Sequence, residues 1–148
     1  MTTPTDIAVA RFQEGYACSQ SVLSAYAPLF DLDPELALRI AAPFGGGMGR
    51  MGEVCGAVTG ALMVLGLKVG NTLAQDKASK EASYDLAREF AERFRKRHGS
   101  ILCRELLGVD ISTAEGLQVA RQRGLFKELC PRLVGDSSEI VAELLEIG

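Results

Sequence analysis

The sequence contains no tryptophan and a single histidine, His98. One imidazole cannot supply the several histidine ligands of most catalytic zinc sites, so a histidine-rich zinc centre is excluded. A cationic excess is also missing, because 16 Lys and Arg stand against 19 Asp and Glu, which gives a formal net charge of -3. A nucleic-acid-binding surface needs excess positive charge to neutralise phosphates. We therefore expect no nucleic-acid partner.

A long uninterrupted apolar segment is missing as well. The longest apolar run covers Val54–Leu67 and includes three glycines and a threonine, whereas a membrane-spanning helix needs about 20 residues. The opening "MTTPTDIAVARF" has neither a basic start nor a continuous apolar stretch of the secretory type. We expect a cytoplasmic protein with no membrane span.

No two of the four cysteines form a CxxC pair. This absence removes the local signature of zinc ribbons, thioredoxins and ferredoxins. Permanent structural disulfides are rare in a reducing cytoplasm. The thiols are then inert buried groups, metal ligands or working redox groups. They are Cys18, Cys55, Cys103 and Cys130.

The chain is predicted to be all-α, since no stretch alternates apolar and polar residues for long. We expect one domain over residues 1–148, a helical bundle around a central apolar helix at about 53–69. Gly56 and Gly60, with neighbouring alanines, give this helix a small-residue face that allows another helix to approach closely. The other predicted helices span about 5–27, 34–42, 76–98, a short segment after Ser100, a segment capped by Ser112, and 138–146.

The segment "PFGGGMGRMG" precedes the central helix and concentrates glycine. It has two functional interpretations: its backbone N–H groups bind an anion at the helix start, or it lets a cofactor or a second chain approach Cys55. A plain flexible connection is the alternative, since clustered glycine is typical of turns. No strand precedes the segment and no GK[ST] follows, so neither a Rossmann nor a P-loop site is supported. The candidate cofactor-binding glycines are Gly45, Gly46, Gly47, Gly49 and Gly56.

Three cysteines, Cys55, Cys103 and Cys130, are predicted to lie near helix N-termini. The positive end of a helix dipole favours the thiolate, which is the form that binds metals and attacks disulfides. Cys18 is the exception, because the predicted helix at 5–27 places it in mid-helix with its side chain turned inward.

The hexapeptide "CGAVTG" from Cys55 to Gly60 follows one cysteine in "GYACSQSVL" and precedes two, in "ILCRELLG" and "LFKELCP". This order resembles the redox-active protein family that is named for its C_GCAxxG_C_C pattern, and the likeness covers about residues 12–145. The resemblance implies a helical fold and a redox or metal-related role. It also implies that all four cysteines act as redox thiols or metal ligands.

Two hypotheses follow. In the first, the four cysteines converge on one site and either exchange thiols with disulfides or bind an iron–sulfur cluster or another metal, with Cys55 the most reactive thiol and Cys18 its partner. In the second, the protein is a non-enzymatic helical accessory protein with buried inert cysteines, whose small-residue helix face forms a homodimer. The sequence names no substrate, redox partner or disulfide pairing, and enzymatic turnover stays open.

Overall fold

The computed structural model describes residues 2–147 as a bundle of helices joined by short turns. In this part of the chain no strand forms, and the only extended pairing is one antiparallel bridge between Val54 and Leu102. The all-α prediction is confirmed. The predicted single domain of residues 1–148 includes Met1 and Gly148, which lie outside the described residues. The helices are α1 (Pro4–Glu14), α2 (Cys18–Tyr26), α3 (Pro34–Ala41), α4 (Gly45–Met48), α5 (Gly56–Val69), α6 (Lys77–His98), α7 (Cys103–Leu107), α8 (Ala114–Gln122), α9 (Leu125–Glu128) and α10 (Cys130–Leu145), with 3-10 turns at Ala27–Phe30 and Ala42–Phe44.

The predicted central helix is α5, which packs against α2, α6 and α10. It is apolar nearly all round because it has neighbours on several sides, and Ala57, Val58, Ala61 and Val64 are fully buried. It begins at Gly56 rather than near Glu53. The three residues before it are held outside the helix, since the Glu53 carbonyl accepts from the Cys103 N–H, Val54 pairs with Leu102 and Cys55 forms the N-cap.

Helices α2 and α5 approach each other closely through the small-residue face. A side-chain carbon at Gly60 would lie 2.8 Å from the Ser19 carbonyl oxygen, and one at Gly56 would lie 3.0 Å from the Ser19 nitrogen. Only glycine allows this separation of the two backbones. The face is therefore occupied within the chain by α2, and it is not free to bind a second copy.

The prediction of one helix over residues 5–27 is wrong. The segment forms two helices, α1 and α2, which separate at Gly15, where the backbone is left-handed with a φ of 116°. The Gly15 N–H bonds back to the carbonyls of Arg11 and Phe12 and so ends α1. Cys18 is consequently the first residue of α2 instead of a mid-helix residue.

The last helix also begins earlier than predicted, at Cys130 instead of Ser138. Pro131 suits the first turn of the helix. The N–H groups of that turn have no acceptor within the helix, so no helical hydrogen bond is lost where proline lacks its N–H. Ser138 therefore lies inside the helix, where it is fully buried, and its carbonyl accepts a 2.9 Å hydrogen bond from the Tyr26 hydroxyl. The neighbouring helix α8 starts one residue later than predicted, since Thr113 rather than Ser112 forms its N-cap.

Two groups of buried residues divide the molecule. The larger, which we call the main core, lies between α1, α2, α5, α6 and α10 and includes Cys55. The smaller, which we call the satellite cluster, comprises Cys103, Leu107, Ile111, Ala120 and Cys130. Cys18 packs against both groups. Within residues 2–147, the helices are all too short or too polar to cross a membrane.

Candidate redox site

All four cysteines line one cavity of about 670 Å³ between the main core and the satellite cluster. Each stands at the beginning of a helix: Cys55 is the N-cap of α5, and the other three are the first residues of α2, α7 and α10. The sequence predicted this placement for three thiols. The break at Gly15 extends it to Cys18.

The bridge between Val54 and Leu102 fixes the two segments that lead into Cys55 and Cys103. The Cys55 N–H donates to the Ile101 carbonyl at 2.8 Å, and the Cys103 N–H donates to the Glu53 carbonyl at 2.6 Å. Each thiol thus follows a residue that is held by the other segment, and the starts of α5 and α7 are tied together.

The glycine segment forms a left-handed turn at the edge of the cavity. Five consecutive residues, Gly46 to Arg50, have φ angles between 62° and 67°. The left-handed conformation costs about 1–2 kcal/mol for each residue with a side chain, and almost nothing for glycine. Three glycines therefore lower the cost of a turn in which only Met48 and Arg50 carry side chains.

Several of these glycines also make room for the cysteine-bearing segments. A side-chain carbon at Gly47 would lie 2.6 Å from the Cys103 Cβ, and one at Gly45 would lie 2.7 Å from the Ala17 Cβ, next to Cys18. At Gly56 it would lie 3.2 Å from the Cys18 Cβ. The five candidate glycines line the cavity together with the thiols. Their cofactor-binding role stays a prediction, whereas their close contacts have a direct packing reason.

Cys18 and Cys130 lie close together, and the interaction between their side chains shifts the two pKa values in opposite directions. Together with burial, this interaction raises the pKa of Cys18. It lowers the pKa of Cys130, against the effect of burial. The pair therefore favours one thiolate, at Cys130, and one thiol, at Cys18.

Burial acts differently on the other two thiols. It raises the pKa of Cys55 to about 12, and the Ala57 N–H near the sulfur offsets only part of this effect. It raises the pKa of Cys103 to about 11. Both thiols are thus protonated at neutral pH and are poor nucleophiles. The expectation that Cys55 is the most reactive thiol has no support in these pKa shifts, which point to Cys130.

The four cysteines line one cavity. Along the chain they occur in the order Cys18, Cys55, Cys103, Cys130. The profile of a family described as "Putative redox-active protein (C_GCAxxG_C_C)" matches residues 16–144. The chain belongs to this family. Comparison with curated proteins and with solved structures finds no match.

In this member of the C_GCAxxG_C_C family, Gly56 directly follows Cys55. The contacts of Gly56 with Cys18 and Ser19 account for glycine at the second position in this chain. The final glycine of the motif, Gly60, faces Ser19 in the same interface.

The four cysteine thiols are of the right chemical type to bind a metal, but they do not lie close enough together to hold one. Four thiolates are the ligands of structural zinc and of common iron–sulfur clusters. Among residues 2–147, however, no three His, Cys, Asp or Glu side chains converge closely enough to hold a metal ion. The four cysteines are free thiols in this arrangement. We therefore derive no chemical step through a metal.

Two charged residues that line the cavity have no counterpart in the sequence-based predictions. Arg50, at the end of the left-handed turn, and Arg121, in the last turn of α8, both line the cavity. The local sequence does not distinguish these two arginines, because arginine also occurs at many surface positions that do not line the cavity. Only the tertiary structure brings these two arginines to one cavity.

Proposed function

We propose that the protein carries out thiol–disulfide exchange, with Cys18 and Cys130 as its dithiol. The observation that carries the proposal is that these two thiols line the same cavity, each as the first residue of a helix, with their pKa values shifted in opposite directions by their interaction. A lowered pKa supplies the attacking thiolate, and a neighbouring thiol within reach completes the disulfide.

The reaction is a two-electron exchange with a disulfide substrate. The Cys130 thiolate attacks one substrate sulfur, the substrate S–S bond breaks, and the leaving thiolate takes up a proton. Cys18 then loses its proton and attacks the Cys130 sulfur, which releases the second substrate thiol. The substrate disulfide is reduced to two thiols, and the protein dithiol is oxidised to the Cys18–Cys130 disulfide.

The helix positions support this assignment of roles. Cys130 is the first residue of the 16-residue helix α10, whose positive end stabilises a thiolate. Cys55 and Cys103, with raised pKa values, serve as neutral cavity walls in this proposal. They neither compete for the substrate disulfide nor repel the Cys130 thiolate.

The proposal places the protein in the cytoplasm, where reducing conditions return the disulfide to the dithiol. Because α2 already covers the small-residue face of α5, a homodimer of this protein has to form through a different surface. The redox partner in this proposal is a disulfide.

The test identifies which thiols become oxidised. Protein prepared without oxygen and without added metal is equilibrated with mixtures of reduced and oxidised dithiothreitol and quenched in acid. The remaining thiols are alkylated, and the disulfide-linked peptides are identified by mass spectrometry. We expect one disulfide, between Cys18 and Cys130, while Cys55 and Cys103 are recovered alkylated as the internal control.

Variants separate the two roles. With oxidised glutathione, Cys18→Ala should stop at a mixed disulfide on Cys130, and Cys130→Ala should form no stable adduct in the cavity. Removing the Cys18 thiol should also shift the alkylation of Cys130 to higher pH. Circular dichroism of both variants checks that they are folded. Oxidation of a different pair, or stoichiometric iron or zinc that protects all four thiols, would overturn the proposal.

A further inference from the structure

The charged side chains that line the cavity carry one sign. Arg50 and Arg121 reach it from the glycine turn and from α8, and no Asp, Glu or Lys of residues 2–147 lines it. This is notable because acids outnumber bases in the whole chain, whose formal net charge is -3. The cavity is thus a local cationic region on an acidic protein.

Neither arginine is neutralised by a neighbour. Five arginines in the described part of the chain are ion-paired, for example Arg104 with Glu53 at 3.1 Å and Arg97 with Glu139 at 3.0 Å, and the others are not. Arg50 and Arg121 form no ion pair among residues 2–147. The starts of α2, α5 and α10 face the same space and add partial positive charge.

The rest of the cavity wall limits the size and polarity of a ligand. Its volume of about 670 Å³ lies within the usual range for small-molecule sites, about 300–1,000 Å³. Leu107, Ile111, Phe126 and Leu133 contribute apolar surface beside the Cys18–Cys130 pair. A ligand that suits this wall has an apolar body and an anionic group.

We propose that the substrate is a small disulfide that carries carboxylate groups, which Arg50 and Arg121 bind while the substrate S–S bond lies against Cys130. This inference rests on the proposed thiol–disulfide exchange and adds the charge and size of the substrate. Arginine binds a carboxylate through two parallel N–H donors, so it fixes orientation as well as charge. The products are the two corresponding carboxylate-bearing thiols.

The test compares three small disulfides that differ in charge: the dianion of 3,3'-dithiodipropionic acid, neutral bis(2-hydroxyethyl) disulfide and dicationic cystamine. The rate at which each oxidises the reduced protein is divided by its rate with N-acetylcysteinamide, which corrects for intrinsic reactivity. We expect the normalised rate to be about tenfold higher for the dianion than for the neutral disulfide at low ionic strength, and lowest for cystamine. Added salt should reduce the difference.

The arginines are tested by a double variant, Arg50→Gln with Arg121→Gln, against the matched control Arg123→Gln. Arg123 is an exposed arginine just after α8 that does not line the cavity. The double variant should lose the preference for the dianion but still react with the neutral disulfide, and the control should keep the preference. Equal normalised rates for the three disulfides, or a preference that survives in the double variant, would overturn the inference. Failure of all three to oxidise Cys18 and Cys130 would instead overturn the proposed function.

Discussion

The main core and the cavity end of the molecule are stabilised in different ways. The main core consists of long helices that bury large apolar side chains completely, such as Phe90 and Phe94 of α6. The cavity end consists of short helices, a left-handed glycine turn and four thiols around open space. The main core provides stability through closely packed apolar side chains. The cavity end is packed less densely, and this leaves space in which thiols from four segments can meet.

Close contacts made by glycines lie at the boundary between the two regions. Gly56 and Gly60 bring α5 against α2 on the core side, and Gly47 brings the glycine turn against Cys103 on the cavity side. Substitutions in the core should therefore change stability and leave thiol chemistry intact in the folded protein. Substitutions at the cavity end should change the position of the thiols.

The largest expected effect is in the main core. Phe94→Ala removes a fully buried ring that stacks on Phe90, and it should lower the free energy of unfolding by about 3–5 kcal/mol. Tyr84→Ala removes an exposed aromatic ring from the same helix and should cost about 0.5 kcal/mol. Urea denaturation followed by circular dichroism measures both values. Similar losses in the two variants would contradict the assignment of α6 packing to Phe94.

An intermediate effect is expected in the glycine turn. Gly47→Ala should lower the free energy of unfolding by about 2–4 kcal/mol, because it combines a φ of 67° with an added carbon 2.6 Å from the Cys103 Cβ. Gly49→Ala is the matched control, since its φ is 62° but its nearest neighbour would be 3.9 Å away. It should lose only about 1–2 kcal/mol. The alkylation rate of Cys103 should change in the first variant alone, and equal behaviour of the two would refute a specific contact between the turn and Cys103.

The smallest expected effect is a pH dependence that arises from Cys55. Burial raises its folded pKa to about 12 from the ordinary value of 9.0, so above pH 9 the unfolded chain releases this proton while the folded chain keeps it. The free energy of unfolding of the reduced protein should therefore fall as pH rises, with about 1 kcal/mol due to Cys55 by pH 10. Urea denaturation at pH 8 and pH 10 should show a smaller fall for Cys55→Ala. An identical fall in both proteins would place the Cys55 sulfur in contact with water.

Local sequence signals predicted the core side of this comparison better than the cavity side. The continuous apolar character of α5 and the apolar stripe of α6 identified both helices, because burial on many sides requires it. The break at Gly15 was missed because the apolar spacing continues through it and only the φ of that residue shows the turn. The early start of the last helix was missed because no local signal shows that the helix that begins at Cys130 continues without a break through residue 138.

The sequence alone determined that this protein is helical, that α5 is central, and that three of the four thiols stand near helix starts, since composition and periodicity act over a few turns of chain. The tertiary structure decided which thiols meet. Cys18 and Cys130 come from opposite ends of the chain, and Arg50 and Arg121 come from separate segments, yet all four residues line one cavity. Such contacts depend on how all the helices of the bundle pack together, and a local pattern of residues does not specify that packing.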